Sequence, residues 1–129
     1  MKQTVLIIAA IYGMLSVILG AFGAHAFKDI LTPEKLISFE TGVRYQMYHA
    51  IVLLVIGLTL PFTSPLEKWA AICIITGVLL FSFSIYFLSF SGHWGINLRF
   101  LGPVTPVGGL FLIAGWLLLI IFFIKNKIF

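Results

Sequence analysis

Long apolar stretches, separated by short polar ones, divide the chain into four segments. They cover about residues 4–26, 46–62, 68–90 and 104–124. A membrane-spanning helix needs about 20 mainly apolar residues, because the hydrocarbon core is about 30 Å thick and a helix rises about 1.5 Å per residue. The segments lack the alternation of a membrane barrel, so each is predicted to be a helix. The pattern predicts an all-α, integral membrane four-helix bundle, built as one domain over residues 1–129.

The connection between the first two segments carries a helix signal of its own. Thr32 is a typical N-cap, Pro33 suits the first helical position, and Glu34 is favourable near the positive end of the helix dipole. We expect an amphipathic interfacial helix over residues 33–45, which bends at Gly42 into the second span. Its apolar residues recur three or four positions apart: Leu36, Phe39, Val43 and Met47.

Composition supports a membrane protein. Hydrophobic residues make up 61% of the chain and charged residues 9%, and the mean hydropathy is +1.16, far from the balance of a soluble domain. The net charge of +4 comes from dispersed Lys and Arg, which favours contact with a membrane surface over nucleic acid. The single cysteine, Cys73, lies in an apolar run, so it forms no intramolecular disulfide and is expected to be a small core residue.

The distribution of Lys and Arg bears on orientation. With four spans the termini share one side, and the two sides carry equal numbers of these residues. We expect Arg44 and Arg99 to lie within the bundle, which leaves the terminal side richer and predicts both termini in the cytoplasm. The terminal side has Lys2, Lys68, Lys125 and Lys127, and the other side has Lys28, Lys35, Arg44 and Arg99.

The stretch "GAFGAHAF", residues 20–27, closes the first segment. An A-x-A pattern there resembles a signal-peptidase site, but the preceding apolar run is longer than the 7–15 residues of a signal peptide. The glycines also end a helix, whereas the glycines of a nucleotide-binding loop begin one. We therefore expect the small residues to allow close helix packing within the bundle, with a homodimer seam as the alternative. They recur every three or four positions: Ala9, Gly13, Ser16, Gly20 and Ala24.

The fourth segment begins with "PVTPVGG". Prolines are tolerated in the first turn of a helix, where the missing N–H has no intrahelical partner. Gly108 and Gly109 follow them. We expect these two glycines to let a neighbouring helix approach closely.

Unusual polar residues are expected at one membrane face, where the first and third spans end and the second and fourth begin. Ionisable groups near hydrocarbon are candidate functional groups because their burial is costly. A simpler interpretation pairs Glu40 with Arg44 for about 0.2–0.5 kcal/mol and places Tyr45, Tyr48 and Trp94 in an aromatic belt. The candidate ligand-binding cluster is His25, Glu40, Arg44, Tyr45, Gln46, Tyr48, His49 and Arg99, with Tyr86, His93 and Asn97 at the same face.

Two histidines of this cluster are expected at the same depth on adjacent helices. His25 lies near the exit of the first span and His49 near the start of the second. Opposed imidazoles ligate haem, and with His93 they would hold a transition metal. The spacing has no metal signature, so we expect interhelical hydrogen bonding and no cofactor or metal. A proton relay or a small-ligand pocket is the intermediate alternative.

No catalytic constellation is evident. Ser82, Ser84 and Ser89 lie on the third span without a nucleophile motif, and they are expected to bond to the helix backbone or to a neighbour. The chain contains no recognisable triad, phosphate loop or carboxylate pair. We therefore predict a protein that is not an enzyme.

Four motifs together resemble those of the bacterial YgdD/YwdK family of small four-span proteins. They are "GAFGAHAF", "FETGVRYQMYHA", "FSFSIYFL" and "TPVGGLFLIAGW", in this order. The family is a domain-of-unknown-function family with a small eukaryotic transmembrane relative. The resemblance covers nearly the whole chain, although the family often has Gly where Phe83 stands. It implies four helices in the bacterial cytoplasmic membrane and no established reaction, and it singles out Gly20, Gly23, Ala24, His25, Tyr45, Gln46, Tyr48, His49, Pro106, Gly108 and Gly109.

Two functional hypotheses follow. The first is a non-enzymatic membrane protein that supports membrane or envelope integrity through contacts with lipids or other membrane proteins, a second copy of the chain included. The alternative is binding or transport of a lipid head group, a small anion or a proton at the one-sided polar cluster.

Overall fold

The computed structural model describes residues 1–127. These residues form four long helices and no strand: α1 (Lys2–Ala24), α2 (Pro33–Thr59), α3 (Pro65–Trp94) and α4 (Val104–Lys125). Short 3₁₀ turns follow α1 at Ala26–Asp29 and precede α4 at Arg99–Leu101. The expectation of an all-α fold is confirmed for this part of the chain.

Three segments are long and apolar enough to cross a membrane. They are Lys2–Ala24, Pro65–Trp94 and Arg99–Lys125, the last of which includes the 3₁₀ turn before α4. Helix α2 has the length to cross, but it carries Glu34, Lys35, Glu40 and Arg44 in its first half. With these charges and the polar residues that follow them, α2 is the least hydrophobic of the four helices.

The predicted start of α2 is confirmed at Thr32. Its Oγ1 accepts a hydrogen bond from Lys35 N at 3.3 Å, and Pro33 occupies the first helical position. This cap satisfies one of the backbone N–H groups that have no partner inside the helix.

The helix predicted over residues 33–45 and the predicted second span are one continuous helix, since α2 runs through Gly42 to Thr59. An interfacial helix over residues 33–45 is therefore not a separate element. The buried residues of α2 form one uninterrupted stripe, so the same helix face packs on its neighbours along the whole length. That stripe is Phe39, Gly42, Gln46, His49, Ala50, Leu53, Ile56 and Gly57. Gly42 instead admits a neighbour: a Cβ there would lie 2.9 Å from Cε1 of Tyr86.

Helices α1 and α2 pack antiparallel. A Cβ on Gly23 would lie 3.3 Å from the Phe39 ring, and at the opposite end a Cβ on Gly57 would lie 2.7 Å from Leu6. The expected small-residue face of α1 contributes only in part to this contact. Ala9 and Ser16 are buried and Gly20 meets Val43.

Two of the small residues of α1 do not pack as expected. Ala24 is exposed, and a Cβ on Gly13 would meet nothing within 4 Å. The helix contacts lie mainly on the side of α1 that carries Val5, Ala9, Tyr12 and Ser16, and Gly13 lies off this side at a shallow cleft.

Helices α3 and α4 approach most closely, and glycines on both make this possible. A Cβ on Gly108 would overlap the backbone of Leu80 and Phe81, and one on Gly115 would lie 2.6 Å from Ile74. Gly77 of α3 meets Leu112 of α4 in the same way. Gly109 is different, since its nearest neighbour would be the Phe81 ring at 3.9 Å. Of the two predicted glycines, Gly108 is the one at the helix contact.

Candidate functional site

The interior of the bundle contains a polar network centred on Gln46. This side chain is fully buried. Its Oε1 accepts a hydrogen bond from Tyr86 Oη at 2.6 Å, and its Nε2 donates to the Tyr12 carbonyl oxygen at 2.9 Å. Gln46 thereby joins α2 to both α3 and α1.

Tyr12 extends this network. Its carbonyl also accepts from Ser16 Oγ at 2.8 Å, and its phenol donates to the Ile75 carbonyl of α3 at 2.8 Å. A buried polar group without a partner is costly in a low-dielectric interior, and in this network each of these polar groups has a hydrogen-bond partner. The network therefore ties α1, α2 and α3 into one register.

The serines of α3 bond as expected, and this prediction is confirmed. Ser82 Oγ donates to the Gly42 carbonyl of α2 at 2.7 Å. Ser84 Oγ bonds to the Phe81 carbonyl at 2.9 Å and to Thr105 Oγ1 at 2.6 Å, and Ser89 Oγ donates to the Ile85 carbonyl at 2.8 Å. Ser82 and Ser84 thus connect α3 to α2 and α4.

His49 links α2 to α4. Trp116 Nε1 lies 3.1 Å from His49 Nε2, and His49 Nδ1 lies 2.7 Å from the Tyr45 carbonyl oxygen. An indole N–H only donates, so Nε2 must be the acceptor and Nδ1 must carry the proton that is donated to Tyr45. Both ring nitrogens of a neutral imidazole are thereby engaged.

The structure does not bring His25 and His49 together, contrary to the expected pair. His25 is exposed at the end of α1. The α1–α2 contact at Gly23 is with Phe39, and His49 lies about 15 Å farther along α2 at 1.5 Å per residue. The sequence interpretation placed both histidines at the ends of their spans, whereas the end of α1 lies beside Phe39, ten residues before His49 on α2.

The predicted cluster is divided between the interior of the bundle and its surface. Only Gln46 and His49 are buried, and Glu40 is half-buried. Arg44 Nη2 donates to Thr41 Oγ1 at 3.4 Å, so this bond goes to a neutral hydroxyl and not to the expected partner Glu40. The exposed members of the cluster are His25, Arg44, Tyr45, Tyr48 and Arg99.

The positions of two arginines bear on the predicted orientation of the termini. Arg44 and Arg99 were expected within the bundle, but both are exposed. Both therefore count in the comparison of the two sides, which stand equal in Lys and Arg.

Glu67, which the sequence interpretation missed, is fully buried at the start of α3. Its Oε1 accepts hydrogen bonds from the backbone N–H of Ser64, at 2.9 Å, and of Thr63. Within residues 1–127 its Oε2 has no hydrogen-bond partner. The signal was present in the sequence, because Ser followed three residues later by Glu is the pattern of a capping box.

The family model described as "Protein of unknown function (DUF423)" matches residues 19–109, which is more than half of the chain. The chain belongs to the DUF423 family. The matched residues include Gln46, His49, Ser82 and Tyr86, while Tyr12 and Trp116 lie outside them.

Relatives of this DUF423 protein align over nearly their whole length. A UPF0382 membrane protein of Staphylococcus epidermidis is 41% identical over 93% of this chain and 94% of its own. The UPF0382 inner membrane protein YgdD of Escherichia coli is 35% identical over 98% of this chain and 93% of its own. A UPF0382 membrane protein of Schizosaccharomyces pombe is 36% identical over 88% of this chain and 96% of its own.

These relatives confirm the resemblance to YgdD-type proteins that the four motifs indicated. Their names and the three apolar helices identify this DUF423 member as a membrane protein. No solved structure matches it. Among residues 1–127, no group of three or more His, Cys, Asp and Glu side chains is placed to hold a metal ion.

Proposed function

We propose that this DUF423 protein is a small four-span protein of the bacterial cytoplasmic membrane that supports membrane integrity through lipid and protein contacts and catalyses no reaction. The main support for this proposal is the way in which the interior polar groups are hydrogen-bonded. Gln46, Tyr86 and His49 bond to other helices, so the polar residues of the core serve assembly.

The fourth span of this proposal is α2. It lies antiparallel to α1 from the Gly23–Phe39 contact to the Gly57–Leu6 contact, so it covers nearly the same depth as an apolar helix that is long enough to cross. Its charged residues all precede Tyr45, and the remaining fifteen positions to Thr59 carry none. Charges near one end of a span extend towards the interface at modest cost.

The outer surface suits lateral contacts. Val17 of α1 and Ile113 of α4 are 63% and 64% exposed, and similar apolar side chains cover both helices. Such a surface is stable only against lipid chains or apolar faces of other membrane proteins.

A deletion and complementation experiment tests this function. Cells that lack the gene should take up a membrane-impermeant DNA dye after osmotic downshift, and the wild-type gene should restore exclusion. A variant with His25→Asn and Glu40→Gln should restore it equally, because the role needs no titrating group at these exposed or half-exposed positions. Gly108→Ala, which separates α3 from α4, should not restore it.

Two outcomes would contradict the proposal. Unchanged dye uptake in the deletion strain refutes a role in integrity. Failure of the His25→Asn, Glu40→Gln variant, at wild-type protein level in the membrane, refutes a role without titrating groups and favours proton or anion transport instead.

A further inference from the structure

A groove lies between the first half of α2, the second half of α3 and the beginning of α4. Its volume is about 520 Å³, within the range of small-molecule sites. Ile85 and Leu88 of α3 contribute apolar surface. Its polar lining residues come from all three helices: Lys35, Ser38, Thr41, Ser89 and Thr105.

The hydroxyl groups of this groove mostly present oxygen lone pairs. Thr41 Oγ1 donates its proton to the Ile37 carbonyl at 3.0 Å, and Ser89 Oγ donates to the Ile85 carbonyl at 2.8 Å. The Ser84 proton goes to the Phe81 carbonyl, so Thr105 must donate in the 2.6 Å bond between Thr105 and Ser84. A hydroxyl whose proton is engaged still accepts hydrogen bonds. A ligand in the groove can therefore donate hydrogen bonds to Thr41 and Ser89.

The charge of the groove is positive. Lys35 is the one charged residue that lines it, and Arg44 reaches its edge through the 3.4 Å bond to Thr41. Glu34 and Glu40 belong to the same helix but do not line the groove. A ligand that matches this lining carries both an anionic group and hydrogen-bond donors.

An apolar path leaves the groove along α4. Pro106 lines the groove, and Leu110, Ile113 and Leu117 follow it on the same helix face at spacings of four, three and four. Leu110 is 64% exposed, and Ile113 and Leu117 are exposed as well. This stripe continues towards the middle of the proposed membrane span, so it offers an acyl chain a continuous contact.

We propose that the groove binds the head group of an anionic glycerophospholipid that carries hydroxyl donors. The lipid phosphate lies near Lys35, the head-group hydroxyls donate to Thr41 and Ser89, and an acyl chain follows the α4 stripe from Pro106. The site rests on the proposed function in one respect, namely that the chain acts through lipid contacts.

Lipid titration of the purified full-length protein in detergent, followed by native mass spectrometry, tests the site. Phosphatidylglycerol has the required charge and donors, whereas phosphatidylcholine has no net charge and no donor. Wild-type protein should prefer phosphatidylglycerol. Lys35→Gln should weaken phosphatidylglycerol binding about fivefold, the size expected for one lysine near an anionic lipid, and leave phosphatidylcholine binding unchanged.

Lys28→Gln is the matched control, because Lys28 is an exposed cation in the turn after α1 on the same side and lies outside the groove. It should bind phosphatidylglycerol like the wild type. Equal losses for Lys28→Gln and Lys35→Gln would overturn the proposal in favour of general surface charge.

A second variant blocks the groove without changing its charge. Ser38 is exposed at the groove, so Ser38→Trp should fold normally and lose the preference for phosphatidylglycerol. Retained preference for phosphatidylglycerol in this variant, with wild-type thermal stability, would overturn the groove as the binding site.

Competition by inorganic phosphate at millimolar concentration would overturn the assignment to a lipid and indicate a free-anion site. These binding results are independent of dye exclusion by the deletion strain. The lipid site can therefore be refuted without refuting the role in membrane integrity, and the role can be refuted without refuting the site.

Discussion

At the scale of single residues, Gln46 has the widest effect on the structure, because its side chain joins three helices. It is a fully buried amide in a chain of mostly apolar residues, and it binds the Tyr86 phenol and the Tyr12 carbonyl at once. Hydrogen bonds between membrane helices average only about 0.6 kcal/mol, but a buried partner that is left without its bond costs more. Gln46 therefore acts mainly by making those arrangements of α1, α2 and α3 unfavourable in which its hydrogen bonds are broken.

Gln46→Leu should lower the free energy of unfolding by about 1–2 kcal/mol, because it strands the Tyr86 hydroxyl in the core. Unfolding of the detergent-solubilised protein measures this loss. The double variant Gln46→Leu, Tyr86→Phe removes both partners and should lose less than the sum of the single variants. Strict additivity would mean that the bond does not couple the two residues.

His49 has a definite tautomer in this structure. Since Trp116 is only a donor, the neutral ring should carry its proton on Nδ1. NMR of the imidazole nitrogens should show protonated Nδ1 and unprotonated Nε2. Trp116→Phe should shift the Nε2 resonance and leave that of Nδ1 nearly in place. A proton on Nε2 in the wild type would contradict the bond to Trp116.

At the scale of elements, α3 and α4 are joined by backbone proximity more than by side-chain volume. Gly77 on one helix and Gly108 and Gly115 on the other leave room for the facing helix. Close backbone approach increases van der Waals contact, which is the main attraction between helices in lipid because lipid chains are as apolar as Leu. In the pairing of α1 with α2, Gly23 and Gly57 face the side chains of Phe39 and Leu6, and the Gln46–Tyr12 hydrogen bond joins the two helices.

Neighbouring glycines provide a matched test of the α3–α4 contact. Gly108→Ala should lower the free energy of unfolding by about 1–3 kcal/mol through overpacking against Phe81. Gly109→Ala should leave it unchanged or raise it by up to about 1 kcal/mol, since alanine favours the helix and its Cβ meets only the Phe81 ring at 3.9 Å. Equal effects of the two substitutions on unfolding would contradict the packing.

At the scale of the whole molecule, the order of the helices determines which loops share a side. With four spans, the termini and the connection at residues 60–64 lie on one side, and Lys28 and Gly95 lie on the other. The two sides carry equal numbers of Lys and Arg, so this count favours neither direction of insertion. We propose that the termini are cytoplasmic.

Cysteine labelling in intact cells tests both the span number and the direction. Cys73→Ser removes the single native cysteine, after which Lys28→Cys or Lys127→Cys supplies one reporter. An impermeant maleimide should label Lys28→Cys from outside and reach Lys127→Cys only after the cells are lysed. Outside labelling of both would contradict four spans, whereas the reverse pattern would contradict only the cytoplasmic termini.

The sequence by itself determined the features that depend on neighbouring residues. Apolar runs predicted helices close to α1, α3 and α4, because length and composition decide what can cross a bilayer. Thr32 and Pro33 predicted the start of α2, since an N-cap acts within one turn. The serines of α3 were likewise expected to bond to the backbone or a neighbour, and they do.

Only the tertiary structure decided which distant residues meet. The relative shift of two helices along their axes decides which side chains pair. Gly23 of α1 meets Phe39 of α2, which leaves His49 to contact Trp116 and not His25. The close approach of Tyr86 of α3 to Gly42 was likewise absent from the sequence pattern, which suggested only a bend at this glycine. The hydrophobic pattern of one helix shows which face is buried, but the residues that cover that face belong to other helices and depend on the register of the whole bundle.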